Sequence, residues 1–157
     1  KDDILKLNID IDGLPKELND DLVQDIHNEI WELNDELELS MSYTRNENGK
    51  KNIETKTKNY IYSHISFDNI CMLGTKQKIF WENFVEKYPK YKGFVEFKHL
   101  GTNGKWFRLP NQTKEQKKKT EHIIIEGEMR NFILHDIEEC TNLDKYITEP
   151  KEEKKRS

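Results

Sequence analysis

The sequence predicts an α+β fold, in which a mixed and mainly antiparallel sheet carries helices on one face. Three observations lead to this class. Several segments alternate apolar and polar residues, as half-buried strands do, and others repeat apolar residues at helical spacing. The elements follow the order β-α-β-β-α-β-β-β-α, in which hairpins can join most neighbouring strands. At 157 residues, the chain is expected to form one domain with a single core.

The composition limits the class of protein further. Only 34% of the residues are hydrophobic, but three Trp, six Tyr and seven Phe supply bulk, so an aromatic-rich core is expected. Cys71 and Cys140 are far apart in the sequence and form no C-x-x-C motif, which argues against a structural zinc site and fits a reducing compartment. Since no apolar run approaches the length of a membrane span, we expect a soluble, intracellular protein without a membrane partner.

Charge is distributed unevenly along a chain whose net charge is -4. Residues 1–40 hold thirteen Asp and Glu against three Lys, whereas residues 98–119 hold six Lys and one Arg against one Glu. The first region therefore suits cations and the second suits phosphate groups. The negative net charge argues against a simple nucleic-acid coat protein.

The first predicted strand runs from Leu5 to Asp12 and ends before Gly13 and Pro15. Asp10 and Asp12 lie on its polar face, because successive side chains of a strand point to opposite faces. A strand rises about 3.3 Å per residue, so their Cα atoms are expected to lie about 6.6 Å apart. Both carboxylates can then reach one divalent ion or a close pair of ions.

A helix and two strands are expected next. Apolar residues recur at helical spacing from residue 19 or 20 onward, which predicts a helix that covers the sheet. The period changes to two over 37–44, the second strand. A third strand over 60–67 follows a polar connection that contains a glycine. It carries Ser63 and His64 among hydroxyl-bearing residues.

The middle of the chain predicts a second helix over 75–88, with an aromatic stripe that belongs to the core. Two further strands are expected after it. The strand over 93–100 carries Glu96, and the strand over 105–109 carries Arg108.

The last part of the chain begins with a basic loop over 111–119, followed by a strand over 122–125. A third helix is expected after Gly127. Its inward-facing residues are Met129, Phe132, Ile133 and Ile137. Residues 142–157 are rich in charge and lose the apolar period, which predicts a charged tail or linker after a domain of residues 1–141.

These strands supply the residue types of a two-metal nucleotidyltransferase. Such an enzyme needs carboxylates that fix the metal ions, and His, Arg and Lys side chains that hold the phosphates for in-line displacement. The candidates in chain order are Asp10, Asp12, His64, Glu96, Arg108 and Lys114. The candidates for sequence-independent contacts with DNA are Lys50, Lys51, Lys117, Lys118 and Lys119.

The same order of motifs resembles the archaeo-eukaryotic primase, or primase-polymerase, superfamily over residues 4–135. The family's acid-x-acid pair at the end of a hydrophobic strand is matched by N-I-D-I-D at 8–12. Its histidine on a strand after a hairpin is matched by His64, and its later acid by Glu96. The stretch F-R-L-P-N-Q-T-K at 107–114 is similar to the family's F-R-L-x-x-S-S-K.

The chain departs from the family pattern at two positions. Tyr62 stands where the family has a serine two residues before its histidine, with Ser63 as the nearest substitute. Glu96 stands where the family usually has an aspartate.

The resemblance implies a palm domain of the RRM-like type and template-directed transfer of an NTP or dNTP, with release of pyrophosphate. The residues it implies as ligands of two Mg²⁺ or Mn²⁺ ions are Asp10, Asp12 and Glu96. The residues it implies as nucleotide contacts are Ser63, His64, Arg108 and Lys114. The domain would lack the N-terminal flank of its relatives.

The resemblance is to the primase domains of large-DNA-virus primase-helicases in particular. It therefore implies a single-stranded DNA template, a fused or associated replicative helicase, and a viral replication compartment in the host cytoplasm or nucleus. The residues themselves leave two other classes open: a non-catalytic nucleic-acid-binding module derived from such a domain, and a metal-dependent nuclease.

Overall fold

The computed structural model describes residues 3–46, 60–97, 122–128 and 132–148. Within them the fold is α+β, as predicted, with a mainly antiparallel six-stranded sheet. The strands are β1 (Ile4–Pro15), β2 (Met41–Asn46), β3 (Tyr60–Leu73), β4 (Val95–Glu96), β5 (His122–Glu126) and β6 (Thr141–Asn142). The α-helices are α1 (Asn19–Leu33) and α2 (Gly74–Lys87), and short 3₁₀ turns occupy Lys16–Leu18, Pro89–Tyr91 and Asp144–Tyr146.

The sheet has the strand order β4-β1-β3-β2-β5, with antiparallel pairing throughout this series. Each helix therefore joins two strands that are parallel to each other and separated by a third strand. α1 joins β1 to β2 across β3, and α2 joins β3 to β4 across β1. The sequence predicted hairpins between most neighbouring strands. This was wrong for the two connections that contain helices, because a third strand lies between the two strands that each helix joins.

The core lies between the sheet and its two helices. The apolar face of β1 contributes Leu7, Ile9 and Ile11, which are almost completely buried. Side chains of both helices belong to the same buried cluster, so both cover one face of the sheet, as predicted. The helical members of the cluster are Leu22, Ile26, Ile30, Phe80, Trp81 and Phe84. The aromatic stripe of α2 is thus part of the core.

Neither helix has a side-chain cap at its N-terminus. α1 begins at Asn19 and α2 at Gly74, and the preceding residues make no capping hydrogen bond through their side chains. At α2, residues distant in sequence supply the partners: the Gly74 N–H donates to the Asp3 carbonyl, and the Leu73 N–H donates to the Asp144 carboxylate. The start of α2 is therefore fixed by both ends of the described chain.

The pairing of β1 with β3 is interrupted near its middle. Lys6 pairs with Cys71 but Asn8 pairs with Ser66, so β3 has extra residues at this point. The completely buried Gln77 of α2 fills the opening. Its amide nitrogen donates to the Lys6 carbonyl at 2.9 Å, and its amide oxygen accepts from the Asn8 N–H at 3.2 Å. One side chain thus replaces the ladder bonds that the bulge removes.

The third predicted helix is wrong over the residues that can be compared. Residues 132–137 contain turns and irregular backbone, and Ile133, expected to face inward, is 46% exposed. The Leu134 carbonyl accepts from the Lys6 N–H at 2.8 Å, and the Ile137 N–H donates to the His135 carbonyl. The backbone groups of this segment therefore form hydrogen bonds with β1 and within tight turns, and not within a helix. Phe132 is buried as expected, and Met129 lies outside the described residues.

Residues 142–148, assigned from sequence to a charged tail, pack against the domain. Leu143 is completely buried and Ile147 is 6% exposed, and both belong to the main core cluster. The Leu143 N–H donates to the Cys71 carbonyl, and the Lys76 ammonium donates to the Ile147 carbonyl. The sequence missed this segment because two apolar residues among charged ones show no clear period.

Strand boundaries also differ from the predicted ones. β2 starts later than the predicted strand over 37–44, and β3 continues beyond residue 67 to Leu73. The structure describes the predicted strand over 93–100 only as far as residue 97, and within that part β4 comprises Val95–Glu96. The strand predicted over 105–109 and the basic loop over 111–119 lie outside the described residues. None of the helices that the structure describes is long and apolar enough to cross a membrane.

Candidate functional site

Three of the predicted site residues lie side by side across the sheet. In the antiparallel register, Asp10 of β1 is directly opposite His64 of β3 on one side and Glu96 of β4 on the other. Directly opposite residues project to the same face of a sheet, with Cβ atoms about 4.5–5.5 Å apart. This face is the one away from the helices, because Ile9 and Ile11 on either side of Asp10 point into the core.

His64 is the most buried member of the row. Its Nδ1 lies 3.8 Å from the Asp10 Oδ1, and its side chain is 13% exposed against 36% for Asp10. The Phe132 ring packs beside it, with the ring centroids 6.0 Å apart. Its backbone N–H donates to the Thr44 hydroxyl at 3.0 Å. The histidine is thus held by its strand neighbours and by an aromatic side chain from a distant part of the chain.

Asp12 extends the row by one position along β1. It is exposed and pairs in register with Tyr62, so that Tyr62 lies on the same face as His64. Burial, and after it the charge of Asp12, raises the pKa of the Tyr62 phenol. A protonated phenol therefore stands beside the carboxylate. Gly13 follows with φ 72°, a conformation that suits glycine and accompanies the bulge at the end of β1.

The three carboxylates leave negative charge that no neighbouring cation balances within the described residues. Among the described residues, Asp10 approaches the His64 imidazole, and neither Asp12 nor Glu96 forms an ion pair. Asp10 and Glu96 are directly opposite each other, an arrangement of like charges that destabilises a sheet. A bound cation would relieve this repulsion.

The fit of this row to a divalent ion can be tested on its donors and their spacing. Carboxylate oxygens are the ligands that Mg²⁺ and Mn²⁺ prefer, and cross-strand neighbours are close enough for two of them to share an ion. Yet no group of three or more His, Cys, Asp or Glu side chains in the described ranges is close enough together to hold a metal ion. The donor type fits, and the third ligand would have to rotate inward. Glu96 and Asp12 are exposed, which leaves them room to do so.

Ser63 does not join this row. It pairs with Ile11, projects to the helix-covered face and is only 2% exposed. Its hydroxyl donates to the Thr44 carbonyl, which uses its hydrogen. The structure therefore separates Ser63 from His64 by the full thickness of the sheet, because adjacent residues of a strand point to opposite faces.

The basic candidates cannot be compared with this geometry. Arg108, Lys114, Lys50, Lys51, Lys117, Lys118 and Lys119 all lie outside the described residues.

Two residues of this face were not predicted as part of the site. Tyr62 could have been found, because it is two residues from His64 on the same strand and must share its face. Phe132 could not have been found, because its contact with His64 joins positions 68 residues apart in sequence.

The comparisons with known proteins add no relative. Neither the models of protein families, nor the curated proteins, nor the solved structures include a match to this chain.

Proposed function

We propose that this chain is the catalytic domain of a primase-polymerase, which adds nucleotides to a strand paired with a DNA template. The observation that carries the proposal is the register that brings Asp10, His64 and Glu96 into one row on the open face of the sheet. Two carboxylates beside a histidine are the groups that such a site needs for metal ions and for a triphosphate.

The connectivity of the sheet supports an RRM-like palm. The first six elements follow the order β-α-β-β-α-β, and their strands are arranged β4-β1-β3-β2. This is the split β-α-β arrangement of ferredoxin-like folds, which leaves one sheet face free of helices. The acidic row lies on that free face, at the two central strands and the adjoining edge strand.

In the proposed reaction, a 3′-hydroxyl attacks the α-phosphate of an NTP or dNTP, and pyrophosphate leaves. Asp10, Asp12 and Glu96 would hold two Mg²⁺ or Mn²⁺ ions, which activate the hydroxyl and neutralise charge on the phosphates when bound. His64 would contact the triphosphate, held in place by Asp10 and Phe132. Arg108 and Lys114 would bind phosphates of the nucleotide or template, and Lys50, Lys51 and Lys117–Lys119 would contact template DNA. Ser63 is left out, because its hydroxyl faces the core.

A primer-extension assay tests the proposal. Primed and unprimed single-stranded templates are incubated with the protein, labelled nucleotides and Mg²⁺ or Mn²⁺. Extension is expected with the unaltered chain and should fall at least a hundredfold in Asp10→Asn, because one metal ligand is lost. Asp35→Asn, which changes an exposed acid after α1, is the matched control and should retain full activity. Full extension by both Asp10→Asn and Asp12→Asn would refute the metal site.

One observation favours a second candidate, the non-catalytic nucleic-acid-binding module. Within the described residues, no three metal ligands are already close together. This arrangement is expected of a domain that has lost catalysis. The same assay separates the candidates. Template binding without extension at any metal concentration supports the binding module, and shortening of the substrate without nucleotides supports a metal-dependent nuclease.

The proposal includes the partners of such a domain. They are a single-stranded DNA template, NTP or dNTP, and a fused or associated replicative helicase, in the setting of a viral replication compartment. Co-purification of the chain with a helicase from infected cells would test the helicase partner.

A further inference from the structure

The two cysteines, far apart in the sequence, are brought together by the fold. β6 pairs in parallel with β3, with Cys71 opposite Asn142. Cys140 is two residues before Asn142, so its side chain shares the face of Cys71 as a diagonal neighbour. This juxtaposition depends on the C-terminal segment 132–148, which the sequence did not predict to pack here.

The two thiols are close enough to influence each other. The Cys140 thiol is one of the neighbours that raise the pKa of Cys71, after burial, and the Cys140 sulfur lies 3.2 Å from the Asp68 carbonyl oxygen. Both cysteines are free. Cys71 is only 3% exposed, whereas Cys140 is half-buried and is the one that a reagent in solution can reach first.

We propose that Cys71 and Cys140 form a reversible disulfide that locks the C-terminal segment onto β3. The oxidant is a small-molecule disulfide such as glutathione disulfide. The Cys140 sulfur attacks one sulfur of the oxidant and releases one glutathione thiolate, which takes up a proton. The Cys71 sulfur then attacks Cys140 in the mixed disulfide and releases the second glutathione. The protein loses two protons and two electrons, which together are two hydrogen atoms, and the oxidant becomes two thiols.

The bond would tie together positions that are distant in the unfolded chain. It closes a loop that begins at Cys71 and ends at Cys140, and long loops gain most from cross-linking because the unfolded chain loses the most freedom. It would fasten the segment that carries Phe132 beside His64 and that places Leu143 and Ile147 in the core. The proposal does not depend on the catalytic activity of the domain.

The surroundings of the pair determine how fast it reacts. Burial raises the pKa of the Cys71 thiol to about 11, and burial also raises the pKa of the Cys140 thiol. Only thiolates attack disulfides, so the reaction is expected to be slow at neutral pH. Its initial rate should rise by up to tenfold between pH 7 and pH 8, because the thiolate fraction grows tenfold per pH unit below the pKa.

The test uses the full chain, incubated with glutathione disulfide under native conditions and then analysed by intact mass, peptide mapping and thermal unfolding. The expected product has lost two hydrogen atoms, yields a peptide cross-linked through Cys71 and Cys140, and melts on the order of 10 °C higher. Dithiothreitol should reverse the rise. Cys140→Ser and Cys71→Ser, treated identically, should show no rise, and either variant suffices if the other does not fold.

Three results would overturn the proposal. They are stable glutathione adducts on either cysteine without closure, disulfide-linked dimers in place of the internal bond, and thiols that react in urea but stay free in the native chain after prolonged oxidation. Each would show that the native geometry does not permit the bond.

Discussion

At the scale of single residues, the row of Asp10, His64 and Glu96 follows from pairing register. Asp10 and Glu96 are neighbours with like charge, and Asp12 lies beside Tyr62 two positions away. Such a row costs stability unless a cation binds. The row should therefore lower the stability of the fold in metal-free buffer, and a bound metal ion should remove this cost.

Glu96→Gln tests this directly. In chelator, the variant is expected to be more stable than the unaltered chain by up to about 1 kcal/mol, because the cross-strand repulsion with Asp10 is removed. With millimolar Mn²⁺, the unaltered chain should gain thermal stability and the variant should gain much less. Thermal unfolding in both buffers is the measurement. Glu17→Gln, an exposed acid in the 3₁₀ turn, is the control and should behave as the unaltered chain does. Equal stabilisation of both chains by Mn²⁺ would place the ion elsewhere.

At the scale of elements, polar side chains connect each helix to a neighbouring part of the fold. Gln77 bridges α2 to the interrupted pairing of β1 and β3. Tyr91, which is completely buried after α2, donates a 2.6 Å hydrogen bond to the Asp25 carboxylate of α1. In α2, the Lys87 Nζ lies 3.2 Å from the Glu29 Oε1 and 3.1 Å from the Glu32 Oε2, both on α1. The two helices are therefore joined by polar contacts above an apolar core.

Gln77→Ala should destabilise the fold by about 2–4 kcal/mol, because it removes the buried hydrogen bonds that Gln77 makes with the Asn8 N–H and the Lys6 carbonyl. Urea unfolding followed by tryptophan fluorescence measures the change. The matched control is Gln24→Ala on α1, whose amide donates to the exposed Asn28 side chain and whose loss should cost less than about 0.5 kcal/mol. Similar midpoints for the two variants would mean that Gln77 does not repair the ladder.

The buried Tyr91 phenol should make the fold less stable at alkaline pH. Burial, and after it the hydrogen bond to Asp25, raises the pKa of the phenol above its ordinary value of 10.0. The folded chain thus holds this proton more tightly than the unfolded chain. The resulting stability is complete below pH 10 and is lost as the pH rises from 10 toward the folded pKa. Tyr91→Phe should be about 1–2 kcal/mol less stable at pH 7 and should lose less on going from pH 9 to pH 11. Parallel pH profiles of the two chains would contradict this.

At the scale of the whole molecule, the C-terminal segment completes the domain. It adds β6 to β3, brings Leu143 and Ile147 into the core, and holds the start of α2 through Asp144. It also supplies Phe132 to the candidate site and Cys140 to the thiol pair. A boundary at residue 141, as the sequence suggested, would cut through packed structure.

Truncation tests this boundary. A chain that ends at residue 141 should lose about 3–6 kcal/mol of stability, because two apolar side chains leave the core. A chain that ends at residue 148 keeps every described contact of the segment and is the control. Circular dichroism melts compare them with the full chain. Identical melting of the 141-residue chain and the control would show that residues 142–148 add nothing to stability.

The sequence by itself determined the local parts of this protein. Alternation and helical spacing are local properties, so they predicted β1, β3, both helices, the core face of each, and the shared face of Asp10 and Asp12. The fixed period of a strand also required Ser63 and His64 to lie on opposite faces, although their common motif suggested a common site.

Only the tertiary structure decided which elements meet. The position of β4 beside β1 places Glu96 next to Asp10, and the return of residues 132–148 replaces a predicted helix with turns, a short strand and buried Leu143. These outcomes depend on contacts between residues that are distant in sequence, whose energies outweigh local helix preference. No local period records them, which is why the acidic row became visible only when the strands were paired.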